Sequence, residues 1–426
     1  MPGTRFKLLI LVLFLLPFYV SSKTVTLEEA IDISRAAHPI LALEKEKTYE
    51  LRFKIDEAWV DYFPRLALEG GYTNFEREEF KDWGLRLRYP LFEGGRVVSE
   101  YRLSESNEKV AQARVEITES LLTLNVKHAY VNVLVEEKLL SAVQTEKENL
   151  AKLFTIAESL FSLGKIPQSD LIRIKTRLLE SESMIIEEER KRDVAKSVLL
   201  QLLNWDQRED VEAVPLDSHV FLEGFTLDEA LEIAQAQRPE FREFHYRERG
   251  LESELGLARS DYWPRVYLDG QYGGSNNPMD HMFMRRDLSN FDEFWSVGIN
   301  IEIDFWNWGK AQAKERQTRS RTRQLQHEKG GFLNSLSFEV KDAYLSWRAA
   351  QRNVLNMREL LNSSKQAYEI IMEEYQTGRA TNEVVLETQN QLTQSQKAYD
   401  QAFFEVFNTE FKLQWVLGAL TGGGSR

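Results

Sequence analysis

The sequence predicts a mainly α-helical fold with a transmembrane β portion, and three observations support this fold class. The chain contains an internal repeat, four segments in which apolar and polar residues alternate, and long segments in which apolar residues recur every seven positions. Alternation with period two is typical of β-strands, and seven-residue spacing is typical of coiled-coil helices. We therefore expect each copy of the repeat to contain one β-hairpin and one pair of long antiparallel helices.

The repeat is visible at two offsets along the chain. The matching pairs are DYFPR at 61–65 with DYWPR at 261–265, TLEEA at 26–30 with TLDEA at 226–230, Gly95 with Gly309, and Gly164 with Gly378. Between Tyr272 and Trp295 the second copy contains 14 additional residues. An insertion confined to one place indicates a loop tip between two paired elements.

The repeat and the N-terminal segment define the expected organisation. Arg5 and Lys7 precede an apolar run at 8–20, which is too short for a membrane helix of about 20 residues and is typical of a secretory signal peptide cleaved before Lys23. The expected segments are a signal peptide at 1–22, a first repeat unit at 23–204, a linker at 205–225, a second repeat unit at 226–418 and a flexible tail at 419–426.

Composition argues against several functional classes. The 426-residue chain has a formal net charge of -13, which disfavours nucleic acid as a partner. It has no cysteine, and its six histidines are scattered singly, so neither thiolate chemistry nor a histidine metal site is expected. We therefore predict no catalytic residue, no metal site and no cofactor, and we do not expect an enzyme.

The four alternating segments predict two hairpins, at about 65–91 and 265–305. In the last strand the odd positions from Trp295 to Phe305 are all apolar, whereas the even positions are small or polar. The charged residues predicted on the opposite face are Glu69, Arg86, Arg88, Asp269, Glu302 and Asp304. Alternation alone is equally typical of a hairpin packed on a soluble core, so that alternative stays open. Aromatic residues near the strand ends favour a lipid interface; they include Tyr62, Phe63, Trp263, Trp295 and Trp306.

Helices account for most of the remaining chain. Heptad stripes such as Val340–Tyr375 and Val385–Leu413 predict packing seams, and Gly164 and Gly378 predict the turns between paired helices. Shorter helices are expected at about 39–60 and 239–261. The charged run at 187–192 is typical of a solvated helix face.

Counting strands predicts an assembly. Two hairpins give four strands, but a closed transmembrane barrel needs about eight or more, and open sheet edges are not tolerated in lipid. Several chains must therefore contribute strands to one barrel, and the charged faces would then line an aqueous lumen.

Motifs over nearly the whole chain resemble those of the TolC family of bacterial outer-membrane efflux proteins. They are Leu27-Glu28-Glu29-Ala30 with Pro39, Tyr62-Phe63-Pro64 and Tyr262-Trp263-Pro264, Leu91-Phe92-Glu93-Gly94-Gly95-Arg96, and the turn glycines Gly164 and Gly378. The resemblance implies a homotrimer in the bacterial outer membrane, with twelve strands in one barrel and a large periplasmic tunnel of coiled-coil helices. It also implies a passive exit duct for small molecules or polypeptides, linked by a periplasmic adaptor (membrane fusion) protein to an inner-membrane pump.

The resemblance further implies a gate at the helical turns farthest from the membrane. The residues at the matching positions are Gly164, Ser169, Asp170, Tyr375 and Gly378. Where the family's arginine would stand this chain has Ala380, with Arg379 next to it, and the family's acidic pair corresponds to Val384 and Glu387, with Glu383 close by.

Two interpretations stay open at this point. Asp170 is equally explained as a first-turn carboxylate stabilised by the helix dipole, whereas rings of Asp170, Glu383 or Glu387 around a narrow axis would favour cations. For the whole chain, the alternative function is a periplasmic coiled-coil adaptor or scaffold without a pore. Such a protein would share the heptads but would not need lipid-facing hairpins.

Overall fold

A computed structural model of the chain describes residues 23–75, 78–216, 226–275 and 292–420. The predicted signal peptide, the inserted loop at 276–291, part of the predicted linker and residues 421–426 of the predicted tail lie outside the described residues. The elements in chain order are β1 Lys23–Val25, α1 Leu27–Ala37, α2 Pro39–Val60, β2 Arg65–Phe75, β3 Glu78–Glu93, α3 Arg96–Ser162, α4 Gln168–Leu203, β4 Val211–Ala213, α5 Leu227–Gln237, α6 Pro239–Ser260, β5 Arg265–Ser275, β6 Asp292–Glu302, α7 Lys310–Gln376 and α8 Asn382–Val416.

The described chain forms two compact units, and each contains segments from both sequence repeats. One unit, the helical unit, contains residues 23–38, 125–216 and 352–408; the other, the sheet unit, contains the remaining described residues. The predicted long helices are confirmed, since α3 and α7 each have 67 residues. Many of the heptad residues are buried, including Val340, Val385 and Leu413 at 0% exposure, so the seven-residue stripes do form packing seams.

The repeated TLxEA motif begins a helix in each copy. The Thr26 hydroxyl accepts a hydrogen bond from the Glu29 backbone N–H at 3.3 Å, and the Glu29 carboxylate accepts one from the Thr26 N–H at 2.9 Å. Thr226 and Glu229 form the same capping box at the start of α5. The motif recurs because each helix must satisfy backbone donors at its first turn.

The predicted hairpins form one antiparallel sheet in the sheet unit, with strand order β2-β3-β5-β6. The strand predicted to continue to Phe305 ends at Glu302 instead, although its alternation persists. Glu302 pairs with Arg265, which is the first residue of β5. Pro264 precedes it and has no backbone N–H to donate, so the ladder ends there.

A short parallel pair, β1 with β4, was not predicted from the sequence. It lies in the helical unit, and Tyr130 of α3, at 0% exposure, joins its C-terminal end. The Tyr130 hydroxyl is 2.9 Å from the Val25 carbonyl oxygen and 2.8 Å from that of Val214. Burial raises the pKa of this hydroxyl to about 12, so the group stays protonated and can donate. One side chain therefore fixes both strands to the long helix.

The charged run at 187–192 is only partly the solvated face that we expected. Glu187 and Arg190 form an exposed ion pair at 2.6 Å, but Glu188 is buried and accepts a hydrogen bond from Lys397 of α8 at 3.2 Å. Successive helical residues point about 100° apart, so a run of six charged residues must place at least one on the packed face.

Glu136 of α3 lies near this buried pair. Burial raises the pKa of the Glu136 carboxyl, and the Glu188 carboxylate raises it further, while Lys191 and Lys397 lower it. One carboxyl oxygen of Glu136 is buried and has no hydrogen-bond partner among the described residues. Its ionised form is therefore disfavoured in the folded protein.

Removal of the Tyr130 hydroxyl should destabilise the helical unit. We expect Tyr130→Phe to lower the free energy of unfolding by about 0.5–1.5 kcal/mol, because the one hydroxyl hydrogen shared by the Val25 and Val214 carbonyl oxygens is lost, while Val25 keeps its bond from the Val214 N–H. The measurement is the thermal-unfolding midpoint of the purified protein at a fixed scan rate. Tyr399→Phe is the matched control, since the Tyr399 hydroxyl makes no hydrogen bond within the described part of the chain. Equal midpoints for the two variants would contradict this role.

Glu136→Gln should stabilise the protein at neutral pH. Because the pKa of Glu136 is higher in the folded state than in the unfolded state, its protonation stabilises the fold. This stabilisation is complete below the unfolded-state pKa of about 4.3 and is lost as the pH rises through the folded-state pKa. The midpoint of the variant should therefore exceed that of the wild type at pH 7.5, and the difference should shrink as pH falls towards 4. Glu187→Gln, where Arg190 lowers the pKa of the carboxyl, should show no such gain.

Candidate functional site

One face of the sheet is apolar, and the described residues leave it uncovered. Val297, Ile299 and Ile301 are 67%, 64% and 70% exposed, and the backbone register aligns them with Gly270, Leu268 and Val266 of β5. The same face continues across β3 and β2, where Leu85 is paired with Leu68. A hairpin packed on the core of its own chain would bury these side chains, so the structure excludes that alternative. An apolar face of this size needs an apolar environment.

The opposite face contains the charged residues predicted there. Arg86 pairs with Glu69 at 2.9 Å, and Arg88 pairs with Asp269 at 2.7 Å. Asp269 also accepts a hydrogen bond from Asn300, so one carboxylate connects β3, β5 and β6. Cross-strand pairs between opposite charges stabilise a sheet whose face is solvated.

The remaining predicted charges lie at the end of the sheet where the strands meet the helices. Arg265 is directly opposite Glu302 in the register, and its guanidinium forms an ion pair with Asp304 at 3.0 Å. Asn300 is one of the polar even positions predicted in the last strand, whereas sequence reasoning missed Arg265 as a member of this face. Its even spacing from Asp269 in β5 was the signal that identifies it.

Aromatic residues lie at both ends of the apolar face. Phe63 and Trp263 are exposed directly before β2 and β5, Trp306 is 68% exposed after β6, and Tyr62 is half-buried near Trp59 and Tyr101. Trp295, at 71% exposure, is opposite Tyr272 near the other end, where Trp83 also packs on Tyr272 at a ring-centroid distance of 5.6 Å. The register thus places rings on both sides of an apolar band, an arrangement typical of a lipid interface.

The two predicted helical turns are in the helical unit. Gly164 has φ +68° and Gly378 has φ +79°, both in the left-handed region. An added Cβ would meet no atom within 4 Å at either position, so the backbone conformation alone requires glycine. The Lys165 N–H donates to the Leu160 carbonyl at 2.9 Å, and the Arg379 N–H donates to that of Glu374 at 2.8 Å, as in Schellman helix ends.

A hydrophobic cluster packs behind these turns. Tyr375 is 2% exposed and lies with Ile174 and Val385 among the buried residues that join the ends of α3, α4, α7 and α8. Burial raises the pKa of the Tyr375 hydroxyl, and the nearby Asp170 carboxylate raises it further. The structure therefore brings together two of the predicted gate residues, Asp170 and Tyr375.

The other predicted gate residues are on the surface of these turns. Ser169, Arg379, Glu383 and Glu387 are exposed, and none of the three charged ones forms an ion pair with another described residue. Sequence reasoning missed Asn382, whose side-chain amide donates to the Asp170 carbonyl oxygen at 3.3 Å. An asparagine at the start of a helix is usually explained by local capping, which concealed this longer-range contact.

Neither a metal site nor a membrane helix is found in the described parts of the chain. No group of three or more histidine, aspartate or glutamate side chains in residues 23–75, 78–216, 226–275 and 292–420 could hold a metal ion. Over the same residues, no helix combines the length and the hydropathy needed to cross a membrane.

Comparison with known proteins identifies the family. The model of the family described as outer membrane efflux protein matches residues 40–204 and 230–419, which are most of both repeats. No curated protein matches the chain.

Solved structures share the fold at low sequence identity. The outer membrane protein VceC from Vibrio cholerae is similar with a TM-score of 0.79 and 17% identity, over 92% of this chain and 96% of that one. The CmeC channel from Campylobacter jejuni gives 0.80 and 16%, over 94% and 87%. The open state of the MtrE channel from Neisseria gonorrhoeae gives 0.75 and 17%, over 92% and 88%.

These matches agree with the TolC-like motifs and favour a channel over a pore-free adaptor or scaffold. Because the family match includes both repeats, the chain belongs to the outer membrane efflux protein family, and its function is that of an outer-membrane efflux channel.

Proposed function

We propose that three copies of this chain form one passive exit duct through the outer membrane. The observation that carries the proposal is the four-stranded sheet with an exposed apolar face and two edge strands, β2 and β6. Edge strands leave backbone N–H and C=O groups without partners, which lipid does not tolerate. Joining β6 of one copy to β2 of the next satisfies both edges, and three copies give a closed barrel of twelve strands.

The charged face of the sheet then lines the lumen. Its ion pairs, Arg86 with Glu69 and Arg88 with Asp269, neutralise each other, so this wall is wetted rather than selective for one cargo. The coiled-coil helices continue the duct into the periplasm, where an adaptor protein links it to an inner-membrane pump. The pump supplies the energy and selects what is exported, whether small molecules or polypeptides.

The duct closes at the helical turns around Gly164 and Gly378. Three copies of Asp170, Glu383 and Glu387 form carboxylate rings at this end, and rings of one sign attract cations and repel anions. Support comes from the exposure of Glu383 and Glu387, which leaves both carboxylates free of ion pairs within the described chain.

A charge on the apolar face should prevent assembly in the membrane. We expect Ile299→Arg to abolish the trimer in outer-membrane fractions, because an arginine facing lipid costs about 2–4 kcal/mol in each copy. Ser296→Arg, on the polar face of the same strand, should be tolerated. The measurement is the mass of the detergent-purified species and the amount of membrane-inserted protein. Wild-type protein that stays monomeric and soluble without detergent would contradict the proposal.

Neutralising the proposed rings should reduce cation selectivity. We expect Asp170→Asn, Glu383→Gln and Glu387→Gln, combined, to lower the cation-to-anion permeability ratio roughly twofold or more, because the charges act over short distances at a narrow axis. The reversal potential of single channels in a salt gradient measures this ratio. Glu189→Gln, which removes a carboxylate elsewhere on α4, is the control and should leave the ratio unchanged. An unaltered ratio in the triple variant would rule out the rings.

A further inference from the structure

We propose that Asn382 is the positioning residue that holds the closed end of this channel, acting through the main-chain carbonyl of Asp170 rather than through an ion pair. The inference rests on the proposed gate at the two helical turns and identifies what keeps those turns together within one chain. We call the Asn382–Asp170 contact the tip clasp.

The geometry of the tip clasp is direct. Asn382 is the first residue of α8 and is 4% exposed, and its side-chain nitrogen is 3.3 Å from the Asp170 carbonyl oxygen in the first turn of α4. A carbonyl oxygen can only accept, so the nitrogen of the amide, and not its oxygen, must face Asp170. The bond thus joins the start of a helix in the first repeat to the start of its counterpart in the second.

The other contacts at this end hold the helices together but do not fix the position of one helix along another. Tyr375, Ile174 and Val385 pack together, but apolar contacts are non-directional and permit small shifts of one helix along another. No other side-chain hydrogen bond or ion pair between described residues joins the first turn of α4 to that of α8. Where the resemblance leads one to expect an arginine the chain has Ala380, so a buried amide provides the fixed contact instead.

Two buried polar atoms at the tip clasp also lack hydrogen-bond partners. The side-chain oxygen of Asn382 and the hydroxyl of Tyr375 are both buried without a hydrogen-bond partner among the described residues. Buried polar groups without partners weaken the arrangement that buries them, and opening would expose both to water. The free-energy difference that favours the closed arrangement is therefore small, and the loss of one hydrogen bond should increase the open fraction measurably.

The first experiment replaces the donor with an isosteric acceptor. In Asn382→Asp the ionised carboxylate cannot donate and repels the Asp170 carbonyl, so the open fraction of single channels near pH 7 should increase about fivefold. Near pH 3.5 a protonated carboxyl can donate again, and the wild-type open fraction should return. Asn382→Ala should show the increase at both pH values, because alanine has no donor at either.

The matched control makes the same chemical change without touching the clasp. Asn390 is exposed on the same helix, and Asn390→Asp should leave the open fraction near the wild-type value at both pH values. A residue that only stabilised the fold would change the number of channels or the unfolding midpoint, but it would not produce recovery at low pH confined to the Asn382→Asp variant.

A cross-link provides an independent test. The chain has no cysteine, so Asp170→Cys with Asn382→Cys introduces a unique thiol pair. A short bifunctional thiol reagent that is cleaved by reductant should close the channel, and the reductant should restore conductance, whereas either single variant should not respond.

The outcomes separate the clasp from the duct. Pores that form normally but gate like the wild type in Asn382→Ala and after cross-linking would overturn the clasp and leave the duct intact. Wild-type protein that forms no pores at all would overturn the proposed duct itself.

Discussion

The backbone hydrogen bonds of four strands impose the constraint on which the rest of this structure depends. Within the described residues, the inner strands β3 and β5 pair on both sides, whereas the outer edges of β2 and β6 have no partner strand and the apolar face of the sheet is uncovered. Water could hydrate such edges, whereas the exposed Val297, Ile299 and Ile301 make water an unfavourable neighbour for this face. The closure with other copies in lipid that we propose would meet both requirements at once.

The internal repeat follows from the same constraint. In the proposed duct each hairpin crosses the membrane and returns to the same side, and the two hairpins of the chain lie side by side because β3 pairs with β5. The two hairpins therefore pair their backbone groups with each other along β3 and β5. Only the outer edges of β2 and β6 are left to pair with other chains. Each of the two compact units contains parts of both copies.

Sequence patterns predicted the elements well because each pattern reports a local rule. Period two identified all four strands of the large sheet, and the glycines at 164 and 378 identified turns that need positive φ. Alternation could not show where β6 ends, since that depends on Pro264 and Arg265 of the neighbouring strand. The strands β1 and β4 escaped prediction because three residues are too few to show a period, and a tyrosine more than one hundred positions from Val25 fixes them.

At the site, too, local sequence patterns identified residues, whereas contacts between residues far apart in the chain were not predicted. The charged face follows from strand periodicity and the aromatic ends from the rings next to the predicted strands, so most of their residues were identified from the sequence. The partners of Glu188 and Asn382 were not, because each is more than two hundred positions away in the chain. A charged run and a helix-start asparagine have common local explanations, and only the packing of α4 on α8 shows that these side chains face another helix.

Those two buried contacts together determine how α4 and α8 pack. Asn382 contacts Asp170, and Lys397 contacts Glu188, so the contacts advance in the same direction along both helices and are separated by about four to five turns. Apolar seams alone would tolerate a shift by one heptad, because the stripe repeats every seven residues. A buried ion pair adds little net stability, but it excludes registers that would leave a charge unpaired. Register is therefore specified by a few polar side chains, and cohesion by many apolar ones. In the proposed gate, opening at the turns would break one neutral hydrogen bond, whereas separating the helices at Lys397 would break a largely buried ion pair and leave Glu188 only its pair with Lys191 of the same helix. Opening is therefore easier at the turns than at Lys397.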